Sequence, residues 1–399
     1  AEKGLLTTYV RPYANLNRSW ERMIANVPGI SSLYGRTFGR RIMPPGLKSG
    51  DIHEAAIAED MAIAAMRHLV GTHSKSIIDW LHWRIQKRLA NVGASYAARS
   101  SMVVANYLVA EPAFRRTDGI RVLNYPIAHH RYIQRFVAEE AEREPEFAGT
   151  LPDWNAEPSW IQKRLDAECG LADTILVGST FTRDSFITEG LPSEKLTVLP
   201  YGADVNAFTP KPYSAPRSKN DEFRLLFVGQ IGQRKGLSYL LRAYKAFRSP
   251  NTRLTLVGGI YGDGEGLIPY RQLFEHVPHM PKAELAEQYR RADVFVFPTL
   301  IEGLGIVVLE AMASGLPIIT TPNGPGDIVR DGIDGYVVPI RDADAILEKL
   351  EFLRANPDLR REMGRNARKR ALEYSWSNYR SRISTELLRQ LGSERNQKV

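Results

Sequence analysis

The chain has 399 residues, 43% of them hydrophobic, a length too great for one ordinary core, so two domains of a soluble globular protein are predicted. No run of about 18 apolar residues offers a membrane-spanning helix, and the lone Cys169 excludes an internal disulfide, reads as buried filler and suits a reducing cytoplasm. The net charge of +8 is concentrated early, 14 Lys and Arg against 7 Asp and Glu in the first 100 residues, which fits an anionic partner: a membrane surface, a phosphorylated substrate or nucleic acid.

Ala1–Gly4 reads as a helix end rather than a signal peptide, and Leu5–Val10 as a strand. Residues 11–50, with Trp20, Tyr34, Phe38, Arg40, Arg41, Pro44 and Pro45, show no period and read as a long loop region with one helix near 17–26. Asp51–Val70 is an alanine-rich helix. Ile77–Leu89 is amphipathic, Trp80 and Trp83 against Arg84, Lys87 and Arg88. Such a helix lies on a membrane surface or docks on the first sheet with a solvated basic face, and docking is the expectation. Met102–Val109 and Ile120–Asn124 are strands, the second leading into His129 and His130. Ligands of open α/β sheets sit beyond the carboxyl ends of strands, so a histidine there either meets a ligand or merely packs or caps. Arg131–Arg164 is polar and helical, broken near Gly149–Pro152. Strand Thr174–Val177, a helix carrying Arg183 and strand Lys195–Leu199 follow, and the proline-rich Thr209–Asp221 is a linker.

Beyond it, strand Leu225–Val228 runs into a loop where Gly229, Gly232 and Gly236 let backbone approach a ligand. Arg234 and Lys235 bring two charges to the same loop, bidentate and point-like, suited to a diphosphate. Leu254–Val257 is a strand, and the Gly262-x-Gly264-x-Gly266 that follows lacks the spacing of a dinucleotide fingerprint. Val277–Pro281 is strand-like and placed near a nucleotide base. Val294–Phe297 is a buried strand stopped by Pro298, Ile306–Ala313 a helix, and Pro317–Thr321 a second buried strand. The glycine-bearing loop between them sits at a helix N-terminus, a position suited to phosphate. Glu302 and Glu310 flank it. Eight helical positions span roughly 12 Å, near the length of a diphosphate with its neighbouring groups, so each carboxylate can meet hydroxyls at one end of a nucleotide-sugar. The duller reading makes Glu302 an N-cap and Glu310 a solvated helix residue. Helices Ala343–Ala355 and Pro357–Tyr374 and a final segment with Trp376 and Tyr379 complete the chain.

The stretch EGLGIVVLEAMASGLPIIT resembles the E-x7-E signature of retaining glycosyltransferase family 4, which has the GT-B fold, and the likeness runs on through GDIVRDGIDGYVVP. ADTILVGSTFTRDSFITEGLPSEKLTVLPYGADVNAF is similar to that family's approach to its interdomain segment, so residues 170–390 resemble it well and 100–135 loosely. The resemblance implies an α/β chain of two doubly wound Rossmann-like domains facing a central cleft: residues 1–208, linker 209–221, nucleotide-sugar domain 222–375, and a C-terminal helix in 376–399 crossing back. The family's opening strand, Gly-rich turn and long helix are not visible before Leu5, so the first βα unit is missing or atypical.

By the same resemblance Glu302 meets the donor sugar, Glu310 the ribose and His129 the sugar from the first domain, with adjacent His130 an alternative. The expected catalytic set is His129, Lys235 and Glu302, and the donor-binding set Gly229, Arg234, Lys235, Gly303, Leu304, Gly305 and Glu310. Gly232 is a secondary candidate, as is Gln230, which stands where the family often has arginine. No Asp-x-Asp motif accompanies these elements, so neither metal nor cofactor is expected and positive side chains take the metal's place. The expected activity is hexosyltransferase-type, retaining transfer from a UDP- or GDP-sugar to a glycan, lipid-linked or small-molecule acceptor in polysaccharide or glycoconjugate synthesis. The protein is expected to be cytoplasmic, with peripheral contact to an anionic inner membrane face. A non-catalytic sugar-nucleotide-binding or membrane-docking protein of the same fold is the alternative. No RNP, KH or helix-turn-helix pattern supports nucleic-acid binding.

Overall fold

The computed structural model describes residues 6–12, 21, 23, 49–69, 75–153, 158–210 and 222–397. The expected Ala1–Gly4 helix end, the expected helix near 17–26 with most of the loop region around it, and linker residues 211–221 lie outside the described residues. Contacts divide the chain into two compact units, residues 1–123 with 163–173, and residues 124–162 with 174–399. That division falls elsewhere than the 208/209 boundary expected from the linker, because residues 125–151 and 178–203 bond and pack against the loops of the nucleotide-sugar half.

In the first unit, β1 (Tyr9–Arg11) pairs parallel with β2 (Ile52–Glu54). The helix expected from Asp51 therefore begins only at Ile57. Local propensity favoured a longer helix, but β1 offers a strand edge and Arg11 O takes the Ala55 N–H at 2.9 Å, so tertiary pairing wins. Helices Ile57–Leu69 and Lys75–Ala97 pack through Ala56, Ile63, Leu81 and Ile85. The second of them docks on the first and also on strands, through Tyr96 stacked on His53 of β2 at 4.4 Å and through Ala94 and Ala97 against Val103. Its Arg84 and Arg88 reach back to the buried Glu59 at 3.3 and 3.0 Å. Strand β3 (Met102–Asn106) ends short of the expected Val109, and β4 is Ile120–Asn124. Leu108 takes a left-handed φ of 73°, and the buried Glu168 carboxylate collects the N–H groups of Leu108 (2.7 Å), Ala110 (2.8 Å) and Glu111 (3.2 Å). Cys169 is buried in this unit, as expected.

The second unit holds the parallel pair β5 (Thr174–Val177) and β6 (Leu196–Val198) and a six-stranded parallel sheet. That sheet comprises β7 (Phe223–Val228), β8 (Thr252–Val257), β9 (Phe274–Val277), β10 (Val294–Phe297), β11 (Ile318–Thr320) and β12 (Gly335–Val337), in the order β12-β11-β10-β7-β8-β9. The order reverses between β7 and β10, the switch point at which doubly wound sheets bind ligands. Strand β10 is buried at all four positions, as a central parallel strand must be. Strand β9 lies earlier than the expected Val277–Pro281, because Phe274 to Val277 find partners in Leu254 to Val257. Helix Trp376–Gln397 runs beside Pro200–Ala203. Tyr379 meets Tyr201 at 5.8 Å between ring centres and Arg382 donates to Pro200 O, while a Cβ on Gly202 would stand 2.8 Å from Trp376 backbone.

Candidate active site at the switch point

Two loops meet where β7 and β10 end. The first leaves β7 through Gly229, forms one tight turn over Gln233–Lys235, and enters helix Leu237–Phe247 through Gly236 at φ 71°. A Cβ on Gly236 would stand 2.1 Å from Pro298 O, so only glycine lets this loop touch the end of β10. The contact is sealed by the Leu300 N–H, which donates to Arg234 O at 3.0 Å, and by Thr299 Oγ1, which donates to the same oxygen at 3.3 Å.

The second loop brings Glu302 to this point, where its carboxylate forms an ion pair with Lys235 Nζ and lies 3.7 Å from Arg234 Nη1. Arg234 also donates to Ile301 O at 2.9 Å. Lys235 is only 6% exposed, its ammonium 5.0 Å from the centre of the Phe297 ring. Burial first, and then the Arg234 charge, press that ammonium well below its ordinary range, while the Glu302 carboxylate opposes them. Burial likewise lowers Arg234. Two cations against one carboxylate leave an excess positive charge at the switch point, the arrangement an anion needs.

Glu302 is not an N-cap. Gly305, at φ 81°, holds that position for helix Ile306–Ala313, and no side chain caps the helix. The helix therefore starts four residues after Glu302, so the expected axial spacing of the two glutamates applies only from Ile306 to Glu310. Gly303 is wedged in place: a Cβ there would lie 1.8 Å from Pro126 O, and its carbonyl accepts from Thr182 Oγ1 at 3.2 Å. Leu304 is buried in the core, which leaves only its backbone for a ligand. Glu310 is not a simply solvated residue either. It accepts from Tyr289 Oη at 3.1 Å, and burial raises its carboxyl to about 6 against that hydrogen bond.

The structure brings Pro126–Ala128 against Ile301–Gly303. His129 itself caps and packs: its Nδ1 accepts from the Arg131 N–H at 3.3 Å, its own N–H donates to Ser185 Oγ at 2.9 Å, and its ring meets Phe186 edge-on at 4.9 Å. His130 is buried too, its Nδ1 3.3 Å from Tyr125 Oη. Gln230 is exposed. Gly232 is required for closeness, since a Cβ would meet Thr150 O at 2.7 Å. Sequence reasoning passed over Gln233, Glu140 and Tyr289. Each is polar and buried by partners distant in the chain, so no local signal marks it.

Residues 213–370 match the family model described as glycosyl transferases group 1. This segment belongs to that family. Among curated relatives of the glycosyl transferase segment, the chain is 33% identical to the GDP-mannose-dependent alpha-(1-6)-phosphatidylinositol monomannoside mannosyltransferase of Mycolicibacterium smegmatis, over 54% of this chain and 62% of that protein. It is 31% identical to the D-inositol 3-phosphate glycosyltransferase of an Arthrobacter species, over 54% and 56%, and 31% identical to the capsular polysaccharide biosynthesis glycosyltransferase CapM of Staphylococcus aureus, over 53% and 59%. The chain thus spans between 56% and 62% of the length of these relatives.

Among solved structures it resembles sucrose-phosphate synthase from Thermosynechococcus elongatus, with a TM-score of 0.61 and 22% identity over 78% of this chain and 79% of that one. It also resembles Anabaena HepE in complex with UDP and glucose, with a TM-score of 0.60 and 14% identity over 95% and 98%. These likenesses are of fold, and the fold is the α/β GT-B architecture.

Proposed function

We propose that the protein is a retaining glycosyltransferase that moves a hexose from a UDP- or GDP-sugar to a glycan, lipid-linked or small-molecule acceptor in polysaccharide or glycoconjugate synthesis. One observation carries the reading: Arg234, Lys235 and Glu302 converge where the strand order reverses, beside an uncapped helix N-terminus. The family match and the named relatives support it. When the donor's bond from anomeric carbon to phosphate oxygen breaks, negative charge grows on the diphosphate. Lys235, Arg234 and the N–H groups around Gly303–Gly305 stabilise that charge more than the ground state. The cations do this without a metal ion or cofactor. Glu302, released from Lys235 as phosphate takes the ammonium, holds the sugar hydroxyls. Glu310 receives the ribose hydroxyls, and His129, on the Pro126–Ala128 side, meets the sugar once its ring leaves the Arg131 cap. The acceptor oxygen bonds to the same face of the anomeric carbon, and its proton passes to the departing diphosphate.

The test is thermal stabilisation by UDP, GDP, ADP and TDP, followed by turnover of the matching sugar donors. A selective gain of about 2.7 kcal/mol at a hundredfold excess over Kd is expected. No gain with any nucleotide overturns the reading, and binding without donor turnover or hydrolysis turns it toward a non-catalytic sugar-nucleotide-binding protein.

The same reading places the protein in the cytoplasm at an anionic inner membrane face. No described helix is long and apolar enough to cross a membrane. Helix Lys75–Ala97 turns Ile77 (53% exposed) and Trp80 (54%) outward beside exposed Arg84, Lys87 and Arg88, a surface suited to acidic headgroups. Co-flotation with vesicles containing phosphatidylserine, and its loss in Trp80→Ala, checks this.

A further inference from the structure

Behind the Arg234–Lys235 turn lies a buried polar network. Glu140, on helix His130–Arg143, is fully buried, as are Gln233 and Ser238. Glu140 Oε1 accepts from Gln233 Nε2 at 2.7 Å and from Tyr239 Oη at 2.9 Å, and Oε2 accepts from Arg341 Nε at 2.7 Å. The Gln233 amide is held at both ends. Its Oε1 accepts the Ser238 N–H at 3.1 Å, and its Nε2 also approaches Ser238 Oγ at 2.7 Å. A backbone N–H only donates and an ionised carboxylate only accepts, so one orientation of the amide satisfies both. The Gln233 N–H donates in turn to Thr150 Oγ1 at 3.0 Å. Arg341 completes the set at a left-handed φ of 63°, a conformation that costs a non-glycine residue and persists only where its surroundings enforce it.

A buried carboxylate with three donors is a poor route to stability, because a well-packed apolar group of the same volume often does as well. What such a network supplies is a unique geometry. Here the geometry belongs to the residue immediately before Arg234 and Lys235. We infer that Glu140 and Gln233 are positioning residues that hold the Arg234–Lys235 turn in the shape that receives a diphosphate. The inference rests on the donor-site reading above and adds to it a control point outside the family segment, on helix His130–Arg143.

The test separates the two. Calorimetry gives the affinities of the full chain for UDP and GDP and for the corresponding monophosphates, and the quantity read is the diphosphate-to-monophosphate ratio. A wild type that binds none of them refutes the donor-site reading, and this inference falls with it. Given wild-type binding, Gln233→Ala is expected to narrow the ratio about tenfold, the size of one hydrogen bond to a charged group. Glu140→Gln keeps the volume and one acceptor, and it is expected to move the ratio less, in the same direction. Tyr239→Phe removes a hydrogen bond from the same carboxylate without touching the turn, so it lowers the melting temperature and leaves the ratio alone. A ratio unchanged in both Gln233→Ala and Glu140→Gln, or narrowed equally by Tyr239→Phe, overturns the inference and makes the network merely structural.

Discussion

Lys235 and Glu302 are partners in a largely buried site, so losing Glu302 leaves two cations unopposed and losing Lys235 leaves Glu302 with Arg234 alone, 3.7 Å away. Lys235→Ala is expected to cut donor turnover at least roughly 100-fold, the scale of a lost transition-state contact, with the folded state retained. Steady-state kinetics beside a melting curve checks both halves. Glu310 carries a different signature, because burial lifts its carboxyl from 4.5 to about 6. The folded value lies above the unfolded one, so the native state binds the proton more tightly. Its contribution to stability therefore falls as pH rises from 4.5 to about 6 and is level beyond. Nucleotide affinity runs the other way, since the ionised carboxylate is the better acceptor for ribose hydroxyls. Affinity is expected to rise through a pH of about 6, and Glu310→Gln to remove that inflection, both read from calorimetric Kd values across the range. Tyr289→Phe removes the hydrogen bond that favours the ionised form and shifts the inflection upward.

At the scale of elements, the glycines divide by what surrounds them. Gly236 combines a left-handed φ of 71° with Pro298 O 2.1 Å from an added Cβ. Gly236→Ala is therefore expected to cost at least about 1 kcal/mol and to pull the Arg234–Lys235 turn off the end of β10. Gly93, inside helix Lys75–Ala97, has open space where a Cβ would go. Gly93→Ala is expected to stabilise by about 0.5–1 kcal/mol, because helix interiors favour alanine over glycine. Urea midpoints of the two variants move in opposite directions. The same contrast explains which elements were legible. Val294–Phe297, Ile306–Ala313 and Ala343–Ala355 carry their own punctuation in Pro298, Gly305 with Gly315, and Asn356-Pro357, and the structure places them at those bounds. Ile52–Glu54 carries none. It is a strand because Tyr9–Arg11 pairs with it from some 40 residues away.

For the molecule as a whole, the site residues gather in one of the two compact units. The histidine segment, the Arg234–Lys235 turn, Glu302 and Glu310 all fall within residues 124–162 and 174–399. Nucleotide binding is therefore expected to slow amide hydrogen exchange over residues 124–151 and 229–310 and to leave helix Ile57–Leu69 at its unliganded rate, as peptide-resolved mass spectrometry reads directly. Protection of the nucleotide half alone, with residues 124–151 unchanged, would contradict that coupling.

Sequence alone determined the alternation of strands and helices, the place of the two glycine loops, and the residue types that suit a diphosphate, because these are local: an apolar run, a helix stop and a charge beside a glycine are written in neighbouring positions. Tertiary structure alone decided what those residues do. His129 stands at the expected strand end, yet its ring caps the Arg131 N–H two residues on and packs edge-on against Phe186, which the fold brings from 57 positions away. Gln233 reads as one more polar loop residue until Glu140 buries it. Lys235 becomes a buried cation paired with a carboxylate only when β10 lies beside β7 and brings Glu302 to it. Burial, pairing and the shift of an acid or base arise from groups that the chain separates and the fold unites, which no local pattern encodes.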